Sequence, residues 1–186
     1  MRSMPMMMRS MMIHPKSNSA AQTLDTPLGT LTVWADDQAI TGLDWDDTLG
    51  GNRDTEPGAV TANSITAQAV AALEAYFAGD VTAFDDLLVA PAVTPFRRQV
   101  LDAMRQIPPG QVDTYGDLGK AAGVSPEAVR AVGSACATNP IPIIIPCHRV
   151  VAAGAKMGGF SGLGGLNTKE WLLRHEGWQP DAPRLL

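Results

Sequence analysis

The sequence predicts an α/β (α+β) chain, in which a small N-terminal antiparallel-sheet-plus-helix domain precedes a mainly helical, winged-helix-like C-terminal domain with a helix-turn-helix. Apolar and polar residues alternate as in strands near the start of the chain, within residues 26–46. Helical periodicity and helix-capping residues prevail from Thr94 onward. The net charge changes from negative to positive in the same region. A chain of 186 residues is long enough for two small domains. We therefore set the domains at 23–90 and 91–186.

The N-terminal domain is predicted to contain a β-hairpin and one helix. In residues 26–46, apolar residues alternate with threonines up to an Asp-Asp-Gln turn, and a second apolar set follows that turn. Residues 47–62 are rich in Gly, Asn and Pro, which is typical of a loop. Residues 64–78 place their apolar side chains on one helical face, and Gly79 is expected to end this helix.

Residues 1–22 are expected to be a disordered leader. They are rich in methionine but interrupted by arginine, proline and histidine, and their longest apolar run is too short to cross a membrane. No clear signal-peptide cleavage site follows them. No other stretch is long and apolar enough to span a membrane, and two cysteines make no disulfide framework. We therefore expect a soluble, cytoplasmic protein.

The two halves differ in charge. Residues 1–90 carry 4 basic and 12 acidic side chains, a net charge of −8, and residues 91–186 carry 10 basic and 7 acidic side chains, a net charge of +3. The total of −5 argues weakly against binding to nucleic acid. The basic excess of the C-terminal half nevertheless permits a phosphate-binding surface there. Charge that serves only solubility explains the same pattern equally well.

Two short helices joined by a tight turn predict a helix-turn-helix. An earlier helix opens at Thr94-Pro95 and is stopped by a Pro-Pro-Gly sequence. Residues 115–122 then form a short helix closed by Gly123, and Ser125 is a good N-cap for a second helix over 126–137. By itself this signal is weak.

The second of these helices has two distinct faces. We assign Val129, Val132 and Cys136 to the core. The other face combines one cation with residues that have almost no side chain: Arg130, Gly133, Ser134 and Ala137. Small residues allow a close approach to another surface, into which the arginine could reach. Tight packing against another helix would suit the same residues.

The strongest chemical signal is the segment NPIPIIIPCHRVV at 139–151. Its prolines forbid a helix and fix the backbone that delivers Cys147. A nucleophilic cysteine must be ionised, although a thiol has an ordinary pKa near ~8.5. The following His148 can take the proton through a water molecule, and a carboxylate can orient the imidazole. We expect an ionised Cys147.

Glu176 is the candidate for that carboxylate. It lies near the end of a predicted helix in which Asn167 and Glu170 have capping-box spacing and Gly177 is a C-terminal stop. Other interpretations of the cysteine stay open, namely an inert core residue or a metal ligand, although the spacing of the Cys and His residues matches no common zinc pattern.

The glycine-rich stretch 158–165 fits neither the dinucleotide nor the Walker pattern. We interpret it as a flexible wall of the reactive site that offers Ser161 and backbone N–H groups to a ligand. A mobile surface loop is the alternative interpretation.

Four stretches together resemble the methylated-DNA–protein-cysteine methyltransferase (O6-alkylguanine-DNA alkyltransferase) family: TYGDLGKAAG, AVRAVGSACATNPIPIIIPCHRVV, GGFSG and KEWLLRHEG. The resemblance covers residues 91–178, and Pro-Cys-His-Arg-Val after the isoleucine run is its most specific part. It implies DNA repair in which an alkyl group passes from O6 of guanine, or O4 of thymine, in double-stranded DNA onto the protein in a single turnover. It also implies a monomer with no cofactor and no metal.

The resemblance implies roles in the chemistry for five residues. Cys147 would accept the alkyl group. His148 would activate the thiol through a water molecule, with Glu176 behind the imidazole. Asn139 would brace the turn that leads to the active segment. Tyr115 would push on the phosphate of the flipped nucleotide and protonate the departing guanine.

The resemblance also implies a DNA-binding surface and a base pocket. Arg130 would enter the base stack and fill the gap left by the flipped nucleotide. The recognition helix would lie in the minor groove and be lined by Ala131, Gly133, Ser134 and Ala135. The base pocket would be formed by Val150, Phe160 and Ser161.

Three features depart from the family pattern. Phe160 stands where the family often has tyrosine, the segment from Ser161 to Lys169 is slightly longer, and the zinc site of some relatives is absent. Two other functions stay open: a helix-turn-helix regulator without chemistry, and a cysteine hydrolase that uses Cys147 and His148.

Overall fold

The N-terminal part of the structure is a three-stranded antiparallel sheet with the strands in sequence order. The structure, a computed structural model, describes residues 20–45 and 61–179. The strands are β1 (Ala20–Thr26), β2 (Gly29–Ala35) and β3 (Ile40–Trp45). Leu31 and Val33 of β2 are fully buried on the face that meets the core, as the alternation predicts.

The predicted hairpin corresponds to β2 and β3. At its turn, one carboxylate oxygen of Asp36 accepts the backbone N–H groups of Gln38 and Ala39 at 2.8 and 2.9 Å. The sequence does not predict β1, which pairs with β2 along its whole length and begins inside the expected leader. Residues 1–19 of that leader and 46–60, most of the predicted loop, lie outside the described residues.

The sheet is covered by α1 (Ser64–Phe77), whose bounds agree closely with the prediction. Asn63 caps the helix, since its side chain accepts the backbone N–H of Thr66 at 2.9 Å. Gly79 follows with a φ of +112°, a conformation that favours glycine and ends the helix. The buried face of α1 runs to Tyr76 in its last turn.

The outer edge of the sheet is joined to the later chain by backbone hydrogen bonds. Ile40 donates to Leu88 and accepts from Ala90, at 2.9 and 2.8 Å, and Leu43 donates to Pro140 at 2.9 Å. One hydrophobic cluster contains buried residues from both halves of the chain. The sheet therefore supports the segment that leads to Cys147.

Three helices form the next layer: α2 (Pro95–Met104), α3 (Tyr115–Ala121) and α4 (Val129–Ala137). Thr94 and Thr114 cap α2 and α3 through their side-chain oxygens. Gly123, with a φ of +67°, makes the turn after α3. The pair α3–α4 is the predicted helix-turn-helix.

The second helix of this pair corrects two details of the prediction. It opens with a 3-10 turn, Pro126–Ala128, and the Ser125 side chain caps no backbone N–H. Val129 was assigned to the core but is 36% exposed, because the tighter first turn rotates it outward, and Ala135 joins Val132 and Cys136 inside.

The C-terminal elements frame the reactive segment. Short strands β4 (Asp113–Thr114) and β5 (Val150–Val151) pair in parallel, and the remaining elements are two 3-10 turns, Cys147–Arg149 and Ala153–Ala155, and α5 (Leu166–His175). The predicted capping box on α5 is wrong, because Gly165 is the N-cap and Asn167 lies inside the helix. Gly177 has a φ of +84° and ends the helix as predicted. Across the described parts of the chain, every helix is too short or too polar to cross a membrane.

Candidate active site

The turn before Cys147 is held by Asn139. The Asn139 amide donates to the Ile145 carbonyl at 2.7 Å, and its oxygen accepts the Ile141 N–H at 3.0 Å. Inside this turn Ile143 has a φ of +71°, a strained conformation for a β-branched residue, and it is fully buried. Packing and the Asn139 bonds thus fix the backbone that presents the thiol, in agreement with the bracing role expected for Asn139.

Cys147 lies at a cavity of about 280 Å³ between α4 and the glycine-rich segment. The thiol-bearing residue is only 6% exposed. The cavity is lined by Tyr115, Gly133, Cys136, Ala137, Cys147, Gly159, Phe160 and Ser161. Its volume is near the lower end of the ~300–1,000 Å³ typical of small-ligand sites, which suits one flat ring system such as a nucleobase.

The environment of the thiol corrects one expectation. Burial raises the pKa of Cys147, and the opposing effects, a hydrogen bond with Asn139 and the charge of Lys169, only reduce this rise. The thiol is therefore protonated at rest at neutral pH, and was wrongly expected to be ionised. Its proton must be removed as part of the reaction.

His148 and Glu176 form the predicted pair, with Nε2 of the imidazole 2.8 Å from Oε1 of the carboxylate. Burial raises the pKa of Glu176, but the hydrogen bonds and charges of His148 and Arg149 outweigh burial and lower it to about 2. The carboxylate is therefore ionised and can only accept. It follows that His148 Nε2 carries the hydrogen and donates it.

The other imidazole nitrogen is left as an acceptor. Burial lowers the pKa of His148, although Glu176 opposes this, so the ring is neutral. Nδ1 then carries the lone pair, and within the described part of the protein it has no hydrogen-bond partner. A neutral imidazole with a lone pair beside a protonated thiol can act as the base that takes its proton.

The sequence did not single out Arg149 as part of this site. Its Nε and Nη2 donate to the two oxygens of Glu176 at 2.8 and 2.9 Å, and Nη1 donates to the Ile107 carbonyl. This two-point contact fixes the plane of the carboxylate. In the sequence, only its position directly after the Cys-His pair could have indicated that Arg149 belongs to the site.

Lys169 was also missed. It is fully buried in α5, and its ammonium donates to the carbonyls of Val150 and Gly159, at 2.5 and 3.4 Å. Burial lowers the pKa of Lys169, and the two cysteines oppose this. The lysine thus ties the glycine-rich segment to the active strand and places a positive group near the thiols. A lysine in an amphipathic helix gives no sequence signal for burial.

A third missed residue comes from the N-terminal half. The Tyr76 hydroxyl donates to Oε1 of Glu176 at 2.8 Å, and both side chains are buried. The sequence had assigned Tyr76 only to the core face of its helix. A contact across 100 positions has no local signature.

The residues expected to bind DNA divide between surface, cavity and core. Arg130, Ala131 and Ser134 are exposed on α4, and Gly133 and Tyr115 line the cavity. Ala135 is 1% exposed and packs in the core, so the expectation that it lines the DNA face is wrong. Its position, five residues after Arg130, turns it to the inner side of the helix.

Two of the three residues predicted to form the base pocket line the cavity, and the third does not. Phe160 and Ser161 line the cavity, and the Phe160 ring meets Trp45 edge-on at 6.2 Å. Val150 is fully buried and does not line the cavity, because its strand turns that side chain into the core. Within the described ranges no cluster of three or more His, Cys, Asp and Glu side chains could hold a metal ion.

Family comparisons agree with this geometry. The model of the 6-O-methylguanine DNA methyltransferase DNA binding domain matches residues 95–178, and the model of the ribonuclease-like domain of that methyltransferase matches residues 21–91. The chain belongs to the methylated-DNA–protein-cysteine methyltransferase family. The resemblance drawn from the motifs is confirmed.

Individual relatives extend over most of the chain. A methylated-DNA–protein-cysteine methyltransferase of Shigella flexneri is 38% identical and covers 84% of this chain and 95% of its own length. One from Methanosarcina acetivorans is 39% identical, over 82% of this chain and 95% of its own.

Solved structures confirm the fold class. The crystal structure of Mycobacterium tuberculosis O6-methylguanine methyltransferase superposes with a TM-score of 0.70 at 36% identity, over 90% of this chain and 96% of that one. The Mycobacterium tuberculosis OGT in complex with DNA also gives 0.70, at 37% identity, over 84% and 92% of the two chains.

Proposed function

We propose that this methyltransferase repairs DNA by moving the alkyl group of an O6-alkylguanine in double-stranded DNA onto Cys147, once per molecule. One observation carries the proposal: the Cys147 thiol faces a nucleobase-sized cavity beside the helix-turn-helix, with a neutral His148 and an ionised Glu176 behind it. The enzyme class follows from the family, and the assignment of the acceptor follows from this geometry.

The lesion must leave the duplex before the thiol can reach it. An alkyl carbon on O6 of guanine is enclosed by the base stack, so the nucleotide has to rotate out. Arg130 is exposed on α4 beside small residues that let the helix approach DNA closely, and its side chain can occupy the vacated place in the stack. The rotated base then enters the cavity.

The transfer step is a displacement at the alkyl carbon. The thiol proton passes through a water molecule to Nδ1 of His148, sulfur bonds to the carbon, and the carbon–O6 bond breaks with its electron pair going to guanine. Burial raises the pKa of Tyr115, as do the two cysteines, so its hydroxyl is protonated and can supply a proton to the departing base. The alkyl group moves from oxygen to sulfur without a cofactor. The thioether product has no good leaving group, so the alkyl group stays on Cys147.

The acceptor is tested with Cys147→Ser and a duplex that carries O6-methylguanine. We expect the unmodified protein to gain a methyl group on the peptide that contains Cys147, and the variant to bind the duplex without gaining one. A protein that binds the duplex and never acquires an adduct would be the regulator considered above. Repeated turnover would indicate a hydrolase, and an adduct on Cys136 would move the chemistry to the other thiol of the cavity.

We further propose that the protein acts as a monomer in the cytoplasm and also accepts O4-alkylthymine. Light scattering with and without DNA tests the oligomeric state, and the same adduct assay with O4-methylthymine tests the second lesion.

A further inference from the structure

The Glu176 carboxylate receives a hydrogen bond from the other half of the molecule. Its Oε1 accepts three donors: His148 Nε2 at 2.8 Å, Arg149 Nη2 at 2.9 Å and the Tyr76 hydroxyl at 2.8 Å. We propose that Tyr76 is a positioning residue for alkyl transfer, which acts through Glu176 to set the basicity of His148. This inference rests on the proposed function, because it concerns the same proton transfer.

The Tyr76 ring has little freedom to move away. It is fully buried, stacks on Phe84 with ring centroids 4.7 Å apart, and meets Phe77 and His175 edge-on at 5.4 and 5.0 Å. Nε2 of His175 also bonds to the Tyr76 carbonyl at 2.7 Å. Ring and backbone are thus both held, so the hydroxyl is delivered to Glu176 in a fixed place.

The hydroxyl is a permanent donor. Burial raises the pKa of Tyr76 far above its ordinary value, and the neighbouring Glu176 charge raises it further. The hydroxyl therefore stays protonated throughout the physiological range. Tyr76 cannot take part in the proton transfer itself, which limits it to an effect on the carboxylate.

The sign of that effect follows from electrostatics. A hydrogen bond donated to Oε1 stabilises the negative charge of the Glu176 carboxylate. The carboxylate then stabilises a protonated His148 less strongly. Tyr76 therefore keeps the pKa of His148 low, together with burial and the positive Arg149 and Lys169, whereas Glu176 raises it. A neutral imidazole is the form that can accept the thiol proton, so the tyrosine favours the reactive state.

The carboxylate would still be oriented without the tyrosine, because Arg149 contacts both of its oxygens. Loss of the hydroxyl alone should therefore change the basicity of the relay more than its geometry. This separates the proposed role from that of a simple packing residue, whose removal would loosen the core and leave the proton affinity of His148 unchanged.

The test is Tyr76→Phe, which keeps the stacked ring and removes only the hydroxyl. Single-turnover methyl transfer from an O6-methylguanine duplex is measured between about pH 5 and pH 9, the range in which a histidine titrates. We expect the midpoint of the pH–rate profile to move upward by about half a pH unit, which slows the reaction about threefold at pH values below the midpoint and changes the rate at pH 7 by less than about twofold. The ¹⁵N resonances of His148 should show the same upward shift in titration.

Val70→Ala is the matched control, since Val70 is buried in the same helix and its side chain has no polar group that could hydrogen-bond to the relay. This variant should lower the midpoint temperature of thermal unfolding without moving the midpoint of the pH–rate profile. If Tyr76→Phe leaves both rate and profile unchanged, or slows the reaction with no shift, the inference is wrong and Tyr76 only packs the core.

A second variant tests the inference if the Tyr76→Phe protein does not fold. Site-specific replacement of Tyr76 by 3-fluorotyrosine makes the hydroxyl a stronger donor, and the profile should then move to lower pH. An unmoved profile contradicts the inference. If the unmodified protein itself gains no methyl group on Cys147, the proposed function fails instead, and the His148 titration still reports whether the tyrosine acts on the imidazole.

Discussion

The ionisation of three residues decides what the site can do at rest. Glu176 is charged, His148 is neutral and Cys147 is protonated, so the thiol is a weak nucleophile until an electrophile is in place and His148 takes the thiol proton. A buried thiolate would react with any small electrophile that entered the cavity. The arrangement therefore favours a substrate that fills the cavity.

Lys169→Met tests how far a buried cation assists the thiol. The positive charge of Lys169 lowers the pKa of Cys147, so its removal should raise that pKa. We expect alkylation of Cys147 by iodoacetamide to become slower at neutral pH and to require a higher pH for half-maximal rate. Peptide mapping measures the rate separately for each cysteine.

Lys156→Met is the control for this charge effect, because Lys156 is exposed. Its alkylation profile should match that of the unmodified protein. An unchanged profile in Lys169→Met would show that the lysine serves only to hold the Val150 and Gly159 carbonyls.

In the proposed function, helix α4 is the element that connects DNA binding with the transfer chemistry. Its exposed face carries Arg130, and one turn later Gly133 opens onto the cavity that contains the thiol. A Cβ atom added at Gly133 would meet no protein atom within 4 Å, so the glycine is not required by packing. The proposed close approach of DNA to α4 would account for a glycine at this position.

Arg130→Ala should slow transfer from duplex DNA but not from the free base. A wedge offsets part of an unstacking cost of a few kcal/mol, so its loss should slow the duplex reaction on the order of tenfold or more. Free O6-methylguanine needs no extrusion, and its reaction with Cys147 should be unchanged. Rates of adduct formation with the two substrates measure this difference.

Arg174→Ala is the matched control, because Arg174 is an exposed arginine that forms an ion pair with Glu170 of its own helix, at 2.6 Å. If Arg130→Ala lowers the rate of adduct formation equally with the duplex and with the free base, Arg130 does not act as a wedge and the protein has a general defect.

Local sequence signals predicted most of these elements. The cap at Thr94, the glycines at 79, 123 and 177, and the apolar periodicity are short-range features, and they placed α1, α2, α3 and α5 within a few residues. The prediction failed where partners are distant: β1 is recognisable mainly by its pairing with β2.

On the scale of the whole molecule, the Glu176 carboxylate connects the two halves of the chain. Its partners come from α1, from the segment after Cys147 and, through Arg149, from the Ile107 carbonyl. The short motif identified His148 and Cys147 from residue order alone. The roles of Tyr76, Arg149 and Lys169 depend on tertiary contacts that no local pattern records.

The same carboxylate should make stability depend on pH. The folded-state pKa of Glu176, about 2, lies below its ordinary value of 4.5, so its contribution is present above the unfolded value and is lost as pH falls through the folded one. The shift corresponds to about 3 kcal/mol. We expect Glu176→Gln to be destabilised by an amount of this order at pH 7, and the difference to shrink towards pH 2 in urea unfolding.

Glu170→Gln serves as the control, since that carboxylate is 45% exposed and forms a surface pair. It should change stability little at any pH. A stability difference for Glu176→Gln that stays constant down to pH 2 would contradict the assigned ionisation.

The most direct test of the account is the stoichiometry of methyl transfer, measured by intact-protein mass spectrometry with a growing excess of O6-methylguanine duplex. The account predicts that methylation saturates at one group per protein, mapped to Cys147. Continued turnover, or saturation with the methyl group on another residue, would contradict it.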